Sequence, residues 1–306
     1  MCQNNQTKVT EFILLGFFSF YDFKILSFLL FLFVYVVILS ENLLIVVLIS
    51  VSQSLKHPMY LFLKNLSVAD ILSTSNAVIS LLEVILKTTR RIPVWHCIFQ
   101  YYIHCSSGFV QSFLLTVMSF DRYLAICHPL RYATVMNVEN CLRLVCSSWL
   151  VAFLLMTGEM ILLHQLQFCE FNVIDHFFCD IAPILELSTS DTTVVTWYDF
   201  ALSLSFIFLP FVLVLASYIC IIITILKISS VIGRKKAFST CSSHLAVVCT
   251  YYGTLVAIYL VPSSQSLLDE NKFRTLMYTV IIPLVNPVIY SLKNQEIIGA
   301  MKKLFH

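Results

Sequence analysis

Charge is scarce in this chain of 306 residues: Asp, Glu, Lys and Arg together make up 12% of it. Glycine and proline are also few, at six and eight residues, and no low-complexity run occurs. The first scarcity excludes an ordinary soluble globule, because a chain that is 59% hydrophobic, with a mean hydropathy of +0.88, carries more apolar surface than a core of this size can bury. The second leaves little room for linkers or a second domain, so one polytopic domain is expected. A net charge of +2 is too small to point to nucleic acid as a partner. There is no HExxH, no GxSxG and no phosphate-binding glycine loop, which removes the common signatures of hydrolytic and nucleotide-dependent enzymes. Residues 1–24 have no basic segment ahead of their apolar patch and no small-residue cleavage site after it, so no cleaved signal peptide is expected.

What the chain has in abundance is long apolar runs. Seven of them, Ile25 to Val51, Pro58 to Leu86, Cys97 to Ile126, Leu142 to Leu163, Tyr198 to Ile228, Ala237 to Leu260 and Phe273 to Leu292, can each cross about 30 Å of hydrocarbon at about 1.5 Å per residue. Runs of this length must be helical, because a helix satisfies its own backbone groups where no water is available. The expected fold is therefore an all-α membrane protein, a seven-transmembrane helix bundle. It divides into an N-terminal tail (1–24), the membrane domain (25–292) and a short C-terminal segment (293–306). In that last segment Ile297, Ile298, Met301, Leu304 and Phe305 recur at helical spacing among Lys302 and Lys303. This pattern predicts an amphipathic helix lying on membrane lipid.

Basic residues set the orientation. With the N-terminus outside, the cytoplasmic side receives Lys56, Lys64, Arg122, Arg131, Arg143, Lys227, Arg234, Lys235, Lys236, Lys293, Lys302 and Lys303, the larger share of the Lys and Arg. The positive-inside rule favours that arrangement, and it makes the sequon at Asn5 available for glycosylation. The one long connection, Leu163 to Trp197, then lies outside, in an oxidising compartment, and holds Cys169 and Cys179. Cys97, at the outer start of the third run, is the natural disulfide partner for one of them. A His, Cys and carboxylate also meet in the run from His176 to Asp180, but a bonded Cys179 has no thiolate to offer, so no metal site is expected.

Ionisable residues within the runs are costly and are functional candidates by default: Glu41, Asp70, Glu83, His104, Glu159 and the pair Asp121 and Arg122. A proton-coupled transporter usually offers a longer relay and an internal repeat, neither of which is visible here. A receptor that converts an outside ligand into an inside change of shape is the leading reading, with a small-solute transporter as the alternative from another class.

Four strings carry a resemblance. KHPMYLFLKNLSVAD (Lys56 to Asp70), MSFDRYLAICHPLRY (Met118 to Tyr132), KAFSTCSSHL (Lys236 to Leu245) and PLVNPVIYSLKN (Pro283 to Asn294) are similar, in order and placement, to the marker motifs of vertebrate odorant (olfactory) receptors. The DRY and NPxxY elements alone would imply only a rhodopsin-like G-protein-coupled receptor; the longer strings point to the olfactory type. The resemblance covers nearly the whole chain. It implies a plasma-membrane receptor for a small volatile odorant that activates the stimulatory, olfactory-type heterotrimeric G protein, with no cofactor.

By the same resemblance, Asp121, Arg122, Tyr123, Tyr218, Asn286, Pro287 and Tyr290 form the coupling switch, with Pro287 allowing a kink. Asn42, Asp70 and Gln111 belong to a polar cluster near Asn286, where Gln111 replaces the glutamate common in the family. The implied disulfide is Cys97 to Cys179. The family's third loop cysteine is Thr189 here, so Cys169 is expected to be free or to reach Cys2. The implied ligand site draws on His104, Cys105, Gly108, Phe109 and Ser112 from the third span and Leu202 and Phe206 from the fifth. Tyr252, Leu255 and Tyr259 from the sixth and Thr279 from the seventh complete it. None of these is cationic, and Val261 stands where many relatives have arginine. Neutral, largely hydrophobic ligands are therefore expected, with one polar group met by His104, Tyr259 or Thr279.

Overall fold

The computed structural model describes residues 8–17, 23–259 and 270–304. Long helices dominate: α1 (Lys24–Val51), α2 (Pro58–Lys87), α3 (Val94–Cys127), α5 (Val138–His164), α7 (Thr193–Ser203) continuing into α8 (Leu209–Lys227), α9 (Val231–Tyr259), and α10 (Glu270–Leu276) continuing into α11 (Ile282–Lys293). Shorter helices are α4 (Pro129–Val135) after the third span, α6 (Ile181–Glu186) in the long loop and α12 (Gln295–Leu304) at the end. Six of the long runs are apolar enough to cross a membrane by length and composition. The expected sixth span falls on α9, which is equally continuous but polar from Gly233 to His244. Helix α3 packs against α2, α5, α8 and α9 and so runs through the centre of the bundle.

Local signals account for several helix ends. Pro58 and Pro129 occupy first-turn positions of α2 and α4, where a missing N–H costs nothing. Asn137 caps α5 by accepting the N–H of Asn140 at 2.9 Å. Asn294 caps α12 by accepting from the N–H groups of Glu296 and Ile297 at 3.0 and 3.3 Å.

Three prolines sit inside spans, and each leaves the carbonyl four residues earlier without its helical donor. In all three cases a side chain from another span supplies one. Ser112 Oγ donates to Phe206 O at 2.6 Å, replacing the donor lost at Pro210. Thr74 Oγ1 donates to Thr279 O at 3.4 Å, replacing that of Pro283, and Asn42 Nδ2 donates to Pro283 O at 3.0 Å, replacing that of Pro287. Just ahead of Pro210 and Pro283 the helices widen into π-helical turns, Leu204–Phe208 and Met277–Ile281. The polar residues of α1, α2 and α3 thereby fasten the kinked fifth and seventh spans to the rest.

One element lies outside the all-helical expectation. Strand β1 (Glu11–Leu15), from the tail, pairs antiparallel with β2 (Thr89–Pro93) and parallel with β3 (Val173–Ile174), so the tail is the middle strand of a three-stranded sheet. Alternation drives it inward: Phe12 and Leu14 are fully buried and Glu11 is exposed. The sheet closes the end of the bundle called here the tail face.

Candidate functional site

Beneath the sheet, at the tail face, lies a cavity of about 500 Å³. Its inner wall is built by His104, Cys105, Gly108 and Phe109 of α3, Ile207 and Tyr278 of the two π-helical turns, and Tyr251 and Leu255 of α9. The loop covers it with Asp175, His176, Phe178 and Asp180, and with Ala182, Pro183 and Glu186 of α6. Lys272, Arg274 and Thr275 of α10 complete the rim. The Cys97–Cys179 disulfide, with Cα atoms 5.4 Å apart, ties the loop to the start of α3. Cys179 is therefore unavailable as a metal ligand. Cys169 is also disulfide-bonded rather than free; its expected alternative partner, Cys2, lies outside the described residues, as does Asn5.

A second clasp was not anticipated from sequence. Lys272 Nζ contacts Asp175 Oδ1 at 2.5 Å and donates to Gly16 O at 3.1 Å, joining α10, the loop and the tail. Its ammonium is buried while Asp175 is half exposed. Phe17 adds apolar closure by stacking on Phe177 at 5.7 Å and meeting Phe273 at 4.9 Å.

Of the residues expected to contact a ligand, His104, Cys105, Gly108, Phe109 and Leu255 line the cavity. Ser112, Leu202, Phe206, Tyr252 and Thr279 are not among its lining residues. Ser112 instead donates to the proline-freed carbonyl of Phe206, the freed carbonyl of Thr279 accepts from Thr74 while its hydroxyl donates to Thr275 O at 2.9 Å, and Phe206 backs the wall by stacking on Phe109 at 4.0 Å. Leu202 packs in the same apolar core as Phe206, and Tyr252 lies within 3.4 Å of the Ser112 hydroxyl. The side chain of Tyr259, and Val261, fall outside the described residues. Tyr251 and Tyr278 take the inner positions; the Tyr251 hydroxyl donates to Gly108 O at 3.1 Å. A Cβ on Gly108 would come within 2.9 Å of the Tyr278 hydroxyl, so the phenol reaches across only because residue 108 has no side chain.

Midway through the bundle the Asp70 carboxylate accepts from Gln111 Nε2 at 3.0 Å and from Asn286 Nδ2 at 3.1 Å. Gln111 is thus a donor to Asp70. Asn42, expected to face Asp70, turns to the carbonyls of Ile38 and Pro283.

At the opposite end Arg122 Nη2 lies 2.9 Å from Asp121 Oδ2, and the Tyr132 hydroxyl donates to Asp121 Oδ1 at 2.9 Å. Tyr123 pairs with His128 Nε2 at 2.9 Å. The first and last residues of the DRYLAICHPLRY string are thereby in contact. Tyr218 bonds to Nδ1 of His244 at 2.6 Å, and both lie within electrostatic reach of Arg122. Tyr290 is buried nearby. His244 had no assigned role in the sequence reading, although it stands inside the KAFSTCSSHL string.

A covered cavity at one face of a helical membrane bundle, and a held arginine at the other, define a receptor of the G-protein-coupled class. Residues 31–306 match the olfactory receptor family. The chain is 45% identical to Olfactory receptor 1S1 of Homo sapiens over 306 residues, all of this chain and 94% of that protein. It is 44% identical to Olfactory receptor 10A7 of Homo sapiens over 303 residues, 99% of this chain and 96% of the relative. It is 42% identical to Olfactory receptor 1M1 of Mus musculus over 302 residues, again 99% and 96%. The chain belongs to the olfactory receptor family, a family of multi-pass membrane receptors rather than enzymes.

Proposed function

We propose that the cavity at the tail face is the odorant site, that it takes a small neutral hydrophobic ligand, and that its occupancy activates a stimulatory G protein and the cyclic AMP pathway. The observation that carries this reading is the inner wall: His104, Cys105, Gly108, Phe109, Ile207, Tyr251, Leu255 and Tyr278 include no acid, lysine or arginine. Charge is confined to the rim, where Lys272 is already held by Asp175. A carboxylate pushed against that wall would be buried without a counter-ion, which apolar contacts do not offset.

The tail face is outside and the Arg122 face cytoplasmic in this proposal, supported by the distribution of Lys and Arg along the chain. Residues 1–24 and Asn5 are then on the outside of the plasma membrane, and 293–306 lies inside. Helix α12 rests on the inner leaflet, held to the second span by the Tyr60 hydroxyl at 2.8 Å from Glu296 Oε2. The test is ligand-dependent cyclic AMP in cells expressing the chain, measured beside uptake of the same ligand. A cyclic AMP response without uptake supports the receptor; uptake without a response contradicts it.

A further inference from the structure

Asn76 and Gln100 lock α2 to α3 just below the loop, Asn76 Nδ2 donating to Gln100 O at 2.6 Å, and Gln100 Oε1 accepts the N–H of Cys179 at 3.2 Å. The loop is thus fixed at Cys179 by this hydrogen bond as well as by the disulfide, three residues from His176. The His176 ring is 4% exposed, stacked on Phe177 at 4.7 Å and edge-on to Phe178 at 5.0 Å. Its Nδ1 accepts the backbone N–H of Phe178 at 3.3 Å, and an imidazole that accepts at Nδ1 carries its proton on Nε2. Burial, with the Lys272 ammonium close by, pushes its pKa down to about 3, so the ring stays neutral at physiological pH.

Nε2 has no hydrogen-bond partner among the described residues, and His176 lines the cavity. Several other polar groups on the cavity wall are engaged: Lys272 Nζ with Asp175 and Gly16 O, the Tyr251 hydroxyl with Gly108 O, and His104 Nδ1 with Ser73 Oγ at 3.3 Å. A buried N–H on a residue that lines the cavity calls for an acceptor, which a ligand in the cavity can supply. An alcohol could supply one, but it would also bring a hydroxyl hydrogen that needs an acceptor of its own. A carbonyl oxygen brings an acceptor and nothing else.

We propose that His176 is a specificity-determining residue whose Nε2–H donates to the carbonyl oxygen of the ligand, so that the receptor selects neutral aldehydes, ketones or esters over hydrocarbons of the same shape. This rests on the reading of the cavity as the odorant site. It extends that reading by naming the polar group of the ligand and the atom that receives it.

The experiment measures binding and signalling separately. Purified full-length receptor is titrated, with thermal stabilisation as the readout, against medium-chain aldehydes and methyl ketones and against the alkenes in which a methylene replaces the carbonyl oxygen. The wild type should bind the tightest carbonyl compound roughly tenfold or more tightly than its alkene. His176→Asn retains an acceptor for the Phe178 N–H but has no donor that reaches the cavity. It should lose the preference while binding the alkene as before. His176→Gln, whose amide N–H extends toward the Nε2 position, should recover part of it. Equal binding of both members of each pair by the wild type overturns the inference regardless of how the variants behave, and so does a preference that survives in His176→Asn. Cyclic AMP in cells separates the two claims. A carbonyl preference that depends on His176 without any cyclic AMP response upholds the recognition role and removes the signalling one. Responses with the same preference in His176→Asn uphold signalling and remove His176.

Discussion

The Tyr218 hydroxyl lies 2.6 Å from Nδ1 of His244, a buried bond that joins α8 to α9 at the end of the bundle where Arg122 is held by Asp121. The two rings are also nearly parallel, with centroids 5.9 Å apart. A bond between the fifth and sixth spans at this depth holds their ends together. Replacing His244 with Phe keeps the ring packing and removes the bond, worth about 1 kcal/mol. Ligand-independent cyclic AMP should rise up to about fivefold at equal surface level. Unchanged basal output would remove the latch role.

Arg122 is the residue on which coupling should depend most. It lies at the end of α3 remote from the cavity, so Arg122→Ala should leave agonist binding to purified receptor within about twofold while abolishing the cyclic AMP response. A variant that signals normally at equal surface expression would show that the Asp121–Arg122 pair is a membrane-interface anchor only.

Ser112 offers a test of the proline account that does not involve signalling. Ser112→Ala leaves Phe206 O buried without the donor that replaces the one lost at Pro210, at a cost of about 1–3 kcal/mol. The thermal midpoint of the purified protein should fall by several degrees. The double variant Ser112→Ala with Pro210→Ala should regain part of the loss, since residue 210 then supplies its own N–H. No recovery would mean that Ser112 matters through packing alone.

The disulfide closes a sequence separation of 82 residues, which a chain-entropy estimate values at about 4.5 kcal/mol. Cys97→Ser and Cys179→Ser should each abolish surface expression. Cys169→Ser should be milder, because the bridge from Cys97 still holds the loop over the cavity. Peptide mapping that finds Cys97 and Cys179 as free thiols would contradict the pairing.

The spans were legible because hydrocarbon thickness and backbone hydrogen bonding leave little freedom in a chain this apolar. The tail strand was not. EFILL becomes a strand only by pairing with Thr89–Pro93 and Val173–Ile174, partners far away in sequence. In the kinked spans the cavity is lined by Ile207 and Tyr278, next in sequence to the expected Phe206 and Thr279. Both positions lie in π-helical turns, where the helix departs from the α-helical period. Lys272, Asp175 and His176 were missed for a different reason: loop residues have no periodicity, and only the folded disulfide loop brings them over the cavity.

The most direct test of the account is a paired screen in cells expressing the chain, with cyclic AMP as the readout. Short carboxylic acids are compared with the aldehydes, esters and alcohols of matching carbon skeleton, at a pH where the acids are ionised. A cavity whose inner wall has no cation should respond to neutral members at concentrations at least about tenfold lower than the corresponding acids, because an unpaired buried charge costs several kcal/mol. Consistently stronger responses to the acids would contradict the account, showing either that the ligand lies elsewhere or that Lys272 or Arg274 serves as its counter-ion.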